Sequence, residues 1–215
     1  MTRLYYSPGA CSLAPHIALE ETGAPFEARR VSIADGANKE PDYLAVNPHG
    51  FVPALEADGE VIAENLAVMA YIAARHPQAA LLPFADPPGL ARAMMRMAFL
   101  ASSVHIAYAQ LWRPHRFTSD AAAHPAIVEG GRRRIVGQQA EIEAVLSRSR
   151  WFAGDAYTLA DPYLLVFFRW GNRIGLDMGY PRWAAHSEAM LARPPVQRAL
   201  RTEGLAAAEF LPRGG

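Results

Sequence analysis

At 215 residues, 51% hydrophobic and 20% charged, the chain is long enough for one large or two small packed domains. Its 21 Lys+Arg balance its 21 Asp+Glu, which excludes a nucleic-acid or anionic-membrane partner held by bulk charge. A single cysteine rules out an intrachain disulfide, no apolar run reaches membrane-spanning length, and no charged-then-apolar leader precedes the first strand, so a cytoplasmic protein is expected.

Leu4, Tyr5 and Tyr6 read as a short strand, Ser7-Pro8-Gly9 as a turn, and Leu13 and Ile17 as one face of a helix ending near Gly23. Cys11 stands at that strand-to-helix joint. A helix start exposes unpaired N–H groups and a partial positive charge, which favours a thiolate. Two readings follow: a reactive sulfur, or a small core hydrophobe. Phe26 to Ile33 reads as a second strand, parallel to the first across the intervening helix. Asp35 to Asp42 reads as a loop and Tyr43 to Val46 as a short helical turn.

Asp58-Gly59 lies between two strand-like runs, Ala54 to Ala57 and Glu60 to Ala63, which is a strong hairpin signal. Pro53 opens the first of these strands, where a missing N–H is tolerated. Leu66, Val68, Met69 and Ile72 then carry a helical pattern up to Pro77. Glu64 or Asn65 is placed to cap that helix, and its exposed N–H groups could instead receive a carboxylate. The first 77 residues therefore predict a small α/β unit with a mixed sheet, and the proline-rich stretch 78–88 a linker.

Residues 89–215 predict an all-helical domain. A stripe runs Leu90, Met94, Met97, Ala101, Val104, Tyr108, Leu111 along one helix to Trp112. Beside it, Ala98, Ser102, His105, Ala109 and Trp112 suit the wall of a cleft. His115 to Ala123 reads as a loop and Pro125 to Arg148 as a long helix, with Arg132, Arg133 and Arg134 spread around it, solvated or ion-paired. Thr158 and Asp161 have the spacing of a capping box, a folding role. The helix they open, through Leu164, Leu165, Val166, Phe167, Phe168 and Trp170, is apolar nearly all round and belongs at the centre of a bundle. Two short helices, Pro181 to Ala192 and Pro195 to Glu203, follow, and then a loosely packed tail.

Four stretches, YYSPGACSLAPHIAL, NPHGFVPAL, AENLAVMAYIA and WFAGDAYTLADPYLLVFFRW, carry a resemblance that extends over nearly the full length. In them the chain resembles the glutathione S-transferases, most closely the bacterial beta class, to which a cysteine after Pro-Gly-Ala is typical. The resemblance implies an α+β fold: an N-terminal thioredoxin-like α/β domain followed by an all-α helical domain. It implies glutathione as co-substrate, a small hydrophobic electrophile as second substrate, a homodimer, no cofactor and no metal.

Site roles follow from the resemblance residue by residue. Cys11 matches the cysteine beside the glutathione sulfur, and Tyr6 a tyrosine near it. Val52 precedes a cis-proline, Pro53, and its backbone pairs with the cysteinyl part. Glu64 and Asn65 hold the γ-glutamyl end. Ser102, Ser103 and His105 border the site, some reaching the partner subunit's glutathione, and His105 is the candidate to manage protons. Tyr6, Tyr108, Trp112 and Trp170 form the second-substrate pocket. Three departures stand out: Ile106 replaces a usual lysine, Asn65 a usual Gly or Ser, and Asp35-Gly36 a usual basic residue, with Lys39 the nearest substitute. The favoured reading is conjugation of glutathione to an electrophilic carbon. The alternatives are glutathione-dependent thiol–disulfide exchange or peroxidase activity through a Cys11 mixed disulfide, and a non-enzymatic interaction protein on the same fold.

Overall fold

The computed structural model of the chain describes residues 1–213. Four strands form one mixed sheet, β1 (Arg3–Tyr6), β2 (Glu27–Arg30), β3 (Ala54–Ala57) and β4 (Glu60–Ala63), in the order β2-β1-β3-β4. β1 runs parallel to β2 and antiparallel to β3, and β3 pairs with β4 as the hairpin turned by Asp58 and Gly59. Register is pinned at one end by Arg3, which reaches Glu27 on one neighbour and Glu56 on the other, each at 2.6 Å. With α1 (Leu13–Thr22), α2 (Pro41–Val46) and α3 (Asn65–Arg75) around it, the sheet makes the N-terminal domain thioredoxin-like.

Strand alternation sorts the β1 side chains between two cores. Leu4 and Tyr6 face the main core with Ile17 and Val68, while Tyr5 packs on the other face with Tyr43, Val52 and Ala54. Helices α4 (Pro87–Phe99), α5 (His105–Trp112), α6 (His124–Leu146), α7 (Ala160–Arg173), α8 (Pro181–Leu191) and α9 (Pro194–Glu203) form the helical C-terminal domain. α7 is buried from Ala160 to Asn172 and packs on α1, so one core spans both halves. Among the described residues, no helix is long and apolar enough to cross a membrane.

Several expectations need correction. The second strand spans only Glu27–Arg30: Phe26 turns aside to lie against His16, and at the other end the ladder stops where its partner β1 ends at Tyr6. The helix expected from Leu90 to Trp112 starts at Pro87 and is interrupted by a π-turn over Leu100–Val104, which joins α4 to α5 and shifts the facing of every side chain beyond it. α3 has no side-chain cap; Glu64 takes φ +71° at its N-cap position instead. The tail is not loose as far as Leu211. Ala207–Phe210 form a 3-10 turn, Phe210 is fully buried, Glu209 pairs with Arg169, and Asn172 donates to the carbonyls of Glu209 and Leu211. The last two residues of the expected tail lie outside the described residues.

Asp161 holds the entry to α7. Its carboxylate accepts from the N–H groups of Phe152 and Thr158, each at 2.8 Å, and lies 2.9 Å from His186 Nε2. Thr158 Oγ1 accepts from Ala160 N–H rather than from the residue at the third helical position.

Candidate active site

The loop between β1 and α1 is held from both sides. Ser12 Oγ accepts from Ser7 N–H and donates back to the Ser7 carbonyl, tying the turn to itself. From the helical half, Glu203 accepts from Gly9 N–H at 2.7 Å, while Trp170 Nε1 and Arg169 Nη1 donate to the Gly9 carbonyl at 2.9 and 3.1 Å. Gly9 has φ +65°, and the Arg169 guanidinium fills the space a Cβ would need, so only glycine fits. The second Glu203 oxygen lies 2.8 Å from His16 Nδ1, with both side chains fully buried. Both backbone polar groups of one loop residue are thus gripped by side chains of α7 and α9.

That grip presents Cys11 to a cleft between sheet and helices, with the residue only 8% exposed. Its Sγ donates to the Val52 carbonyl at 3.5 Å. Burial pushes the thiol up to about 12, although the N–H groups of Cys11 and Ser12 and the charge of Arg113 pull the other way. Residence beside a helix start, expected to favour the thiolate, is outweighed by desolvation. Opposite, the Val52–Pro53 bond is cis. Tyr43 Oη and Asn47 Nδ2 both donate to the Phe51 carbonyl and fix the approach to it.

The uncapped start of α3 opens onto the same cleft. Glu64 sits there in a left-handed conformation costly for a residue with a Cβ, a kind of strain that collects at binding sites. Asn65 is 8% exposed, yet both polar atoms of its carboxamide lack a hydrogen-bond partner. It lies near the Tyr163 hydroxyl without forming a well-aligned bond to it.

The helical wall is built by α5 and α7. His105 Nδ1 lies 3.4 Å from the Tyr163 hydroxyl, and its ring stands edge-on to Trp170 at 5.0 Å. Burial, and then the charges of Arg113 and Arg116, push its pKa down to about 4, so the imidazole is neutral at pH 7. Trp112 packs edge-on against Trp170 at 4.8 Å. The partly open cavity measures about 430 Å³. Among the described residues, no group of three or more His, Cys, Asp or Glu could hold a metal ion.

Residues 9–75 match the family model for the glutathione S-transferase N-terminal domain, and residues 118–194 the one for its C-terminal domain. A Xanthomonas campestris glutathione S-transferase is 35% identical over 94% of this chain and 99% of its own length. The chain belongs to the glutathione S-transferase family. A Sulfitobacter glutathione transferase homologue, crystallised with bound glutathione, superposes with TM-score 0.89 at 33% identity, covering 96% of this chain and 99% of that one. A bacterial beta class glutathione S-transferase from Sphingomonas chungbukensis gives TM-score 0.84 at 38% identity, covering 95% and 100%.

In this transferase the cavity brings together Cys11, Val52, Pro53, Glu64, Asn65, His105, Trp112 and Trp170. Four expected site residues stand elsewhere. Tyr6 points to the opposite face of β1, its ring against His16 and its hydroxyl towards the Thr202 carbonyl, because strand alternation sends it into the core. Tyr108 is fully buried behind Trp112 and Trp170 and donates to the Phe167 carbonyl. Ser102 lies on the exposed side of the π-turn, donating to the Ala98 carbonyl, and Ser103 is half-buried off the cavity wall. Sequence reasoning missed Tyr163, Phe51, Arg113 and Arg116, which do line it. Tyr163 was findable, since it precedes Trp170 by seven residues on one face of α7. Arg113 and Arg116 continue the stripe of His105, Ala109 and Trp112 past the helix end, which a search confined to the helix overlooks.

Proposed function

We propose that this chain conjugates reduced glutathione to a small electrophilic hydrophobic compound in the cleft lined by Cys11, Asn65 and His105. The observation that carries the reading is the buried Asn65 carboxamide, without a partner at the open start of α3. An unpaired buried amide costs roughly 1–3 kcal/mol, which a ligand carboxylate would recover. The γ-glutamyl carboxylate of glutathione meets that need, with the free N–H groups of α3 behind it. Glu64 faces the ammonium beside it. The Val52 backbone, at the strand edge before Pro53, pairs with the cysteinyl amide.

This seating brings the glutathione sulfur to the N–H groups of Cys11 and Ser12. Conjugation then needs no proton store on the protein. The thiol proton leaves to solvent, the thiolate lone pair forms the C–S bond, and the C–X bond breaks with its electron pair departing as X⁻. His105 has too low a pKa to hold that proton near neutrality; it serves as a neutral hydrogen-bonding group. Cys11 has too high a pKa to compete as nucleophile, which weighs against thiol–disulfide exchange as the main activity. A pure scaffold would not leave Asn65 and Glu64 unrelieved.

Homodimer assembly in a reducing cytoplasm belongs to the same proposal. Met95, Ala98 and Ser102 lie on one exposed side of α4 and the π-turn, where a second subunit would bring its own cleft near Ser102. Light scattering at twice the 23.5 kDa chain mass supports assembly; the monomer mass refutes it. For glutathione, titration calorimetry on the wild type and Asn65→Ala is decisive. The variant should bind at least about tenfold more weakly, the worth of one charge-assisted hydrogen bond. Equal binding by both would refute the reading.

A further inference from the structure

We infer that the second substrate is an anionic electrophile: an activated aromatic or unsaturated carboxylate, held at its charged end by Arg113 and Arg116. The inference rests on the transferase reading above. α5 ends at Trp112, Arg113 N–H closes the helix on the Ala109 carbonyl at 2.8 Å, and a short 3-10 turn follows to Arg116. Both arginines line the cavity, next to the apolar surface of Ile106, Trp112 and Trp170.

Neither guanidinium has a carboxylate. Among the described residues, Arg3, Arg169, Arg193 and Arg198 are each bound to glutamates at 3.0 Å or closer, while Arg113 and Arg116 enter no ion pair and no side-chain hydrogen bond. Instead they face each other's charge, and Arg116 rests on the Phe51 ring, 4.9 Å from its centroid. Two like charges turned into one partly enclosed cavity are stabilised by an anion between them.

Glutathione does not consume this charge. Its γ-glutamyl carboxylate is accounted for by Asn65 and the α3 start, and its ammonium by Glu64, the one acidic residue on the cavity wall among the described residues. Its glycyl carboxylate we assign to Lys39, 5.3 Å from the Phe51 ring on which Arg116 also rests. What remains is a double cation beside an indole wall, which matches a flat apolar body with a carboxylate at one end. Ile106, where the beta class resemblance leads one to expect lysine, leaves the ring side of that pocket apolar and the charge concentrated on the arginines.

The test compares 4-chloro-3-nitrobenzoate with 4-chloro-3-nitrobenzamide, each enzymatic rate divided by its uncatalysed rate with glutathione. The reacting carbon and leaving group are the same, so the ratio of the two normalised kcat/KM values reads the charge. The wild type should favour the carboxylate, and Arg113→Gln/Arg116→Gln should lower the ratio at least about tenfold. Raising the salt from 0.02 to ~0.5 M should lower the wild-type ratio in the same direction. An unchanged ratio in the variant overturns the inference. A raised KM for glutathione with an unchanged ratio overturns it too, by assigning the arginines to the glycyl carboxylate. If the wild type conjugates neither compound, the transferase reading is decided by the glutathione titration above, and the anion site by quenching of Trp112 and Trp170 fluorescence: quenching by 4-nitrobenzoate but not by 4-nitrobenzamide, lost in the double variant, supports it, and equal or no quenching overturns it.

Discussion

The state of Cys11 gives the sharpest quantitative prediction. With its pKa moved from 9.0 up to about 12 by burial, the thiolate fraction at pH 8 falls from about a tenth to about 10⁻⁴, a loss of ~10³. A thiolate of higher pKa is intrinsically more nucleophilic, with a Brønsted slope of about 0.4–0.5, which restores a factor of roughly 20. The net expectation is alkylation about 50-fold slower than that of free cysteine. Access lowers it further, since the residue is 8% exposed and its Sγ is turned to the Val52 carbonyl. The assay is the second-order rate of iodoacetamide labelling at pH 8, followed by intact mass in the folded protein and after unfolding in urea. The folded rate should be at least ~50-fold below the unfolded one, and it should rise tenfold per pH unit beyond pH 9. A folded rate equal to the unfolded rate, or a plateau near pH 7, would show a thiolate held by the helix start after all. It would restore the exchange reading that the raised pKa of Cys11 disfavours.

Glu203→Ala removes the acceptor for Gly9 N–H and His16 Nδ1 together, leaving two buried polar groups unmatched. Urea unfolding should show a loss of roughly 2–5 kcal/mol, and Cys11 labelling should accelerate because its loop is released. Acceleration by less than twofold would mean the loop is held without the clamp. His105 bears on acid stability: its folded pKa of about 4 lies below the ordinary 6.5, so the unfolded chain binds more protons between those values. Its contribution is complete above pH 6.5 and is lost as pH falls through 4, amounting to at most about 3 kcal/mol, less for the ring face open to the cavity. The charges of Arg113 and Arg116 add to the burial effect, and Tyr163 is the nearest partner. Urea melts of the wild type and His105→Asn should therefore converge in slope above pH 6.5 and diverge below it; parallel curves throughout would remove His105 as the cause.

Much of the fold was legible because its signals are local. The Asp58-Gly59 hairpin, the polar joint at Cys11 and the all-apolar run of α7 each follow from residues a few positions apart, and each appears where expected. What misled was direction. Tyr6 and Tyr5 are adjacent in sequence and chemically alike, yet alternation along β1 turns them to opposite cores, and only the position of the sheet between helices decides which face meets the cleft. The π-turn at Leu100–Val104 inserts an extra residue into the helical repeat, so the stripe drawn through Ala98 and Ser102 to His105, Ala109 and Trp112 breaks: the last three line the cavity and the first two do not. Desolvation escaped for a similar reason: the helix start beside Cys11 is visible in the sequence, but the burial that overrules it comes from residues a long way along the chain.

The same long-range logic explains why the N-terminal half alone would present this site poorly. Val52, Pro53, Glu64 and Asn65 come from the sheet side, but the loop that sets Cys11 is gripped through Gly9 by Arg169, Trp170 and Glu203, some 160 or more residues later. Trp170 serves twice, its indole N–H on the Gly9 carbonyl and its ring on the cavity wall against Trp112. A change at Trp170 therefore shifts the loop that carries Cys11 as well as the cavity wall. The two half-sites are one mechanical unit, and substitutions that retune the electrophile pocket without loss of glutathione binding are expected at Ile106, Arg113 and Arg116, which touch the cavity but not the clamp.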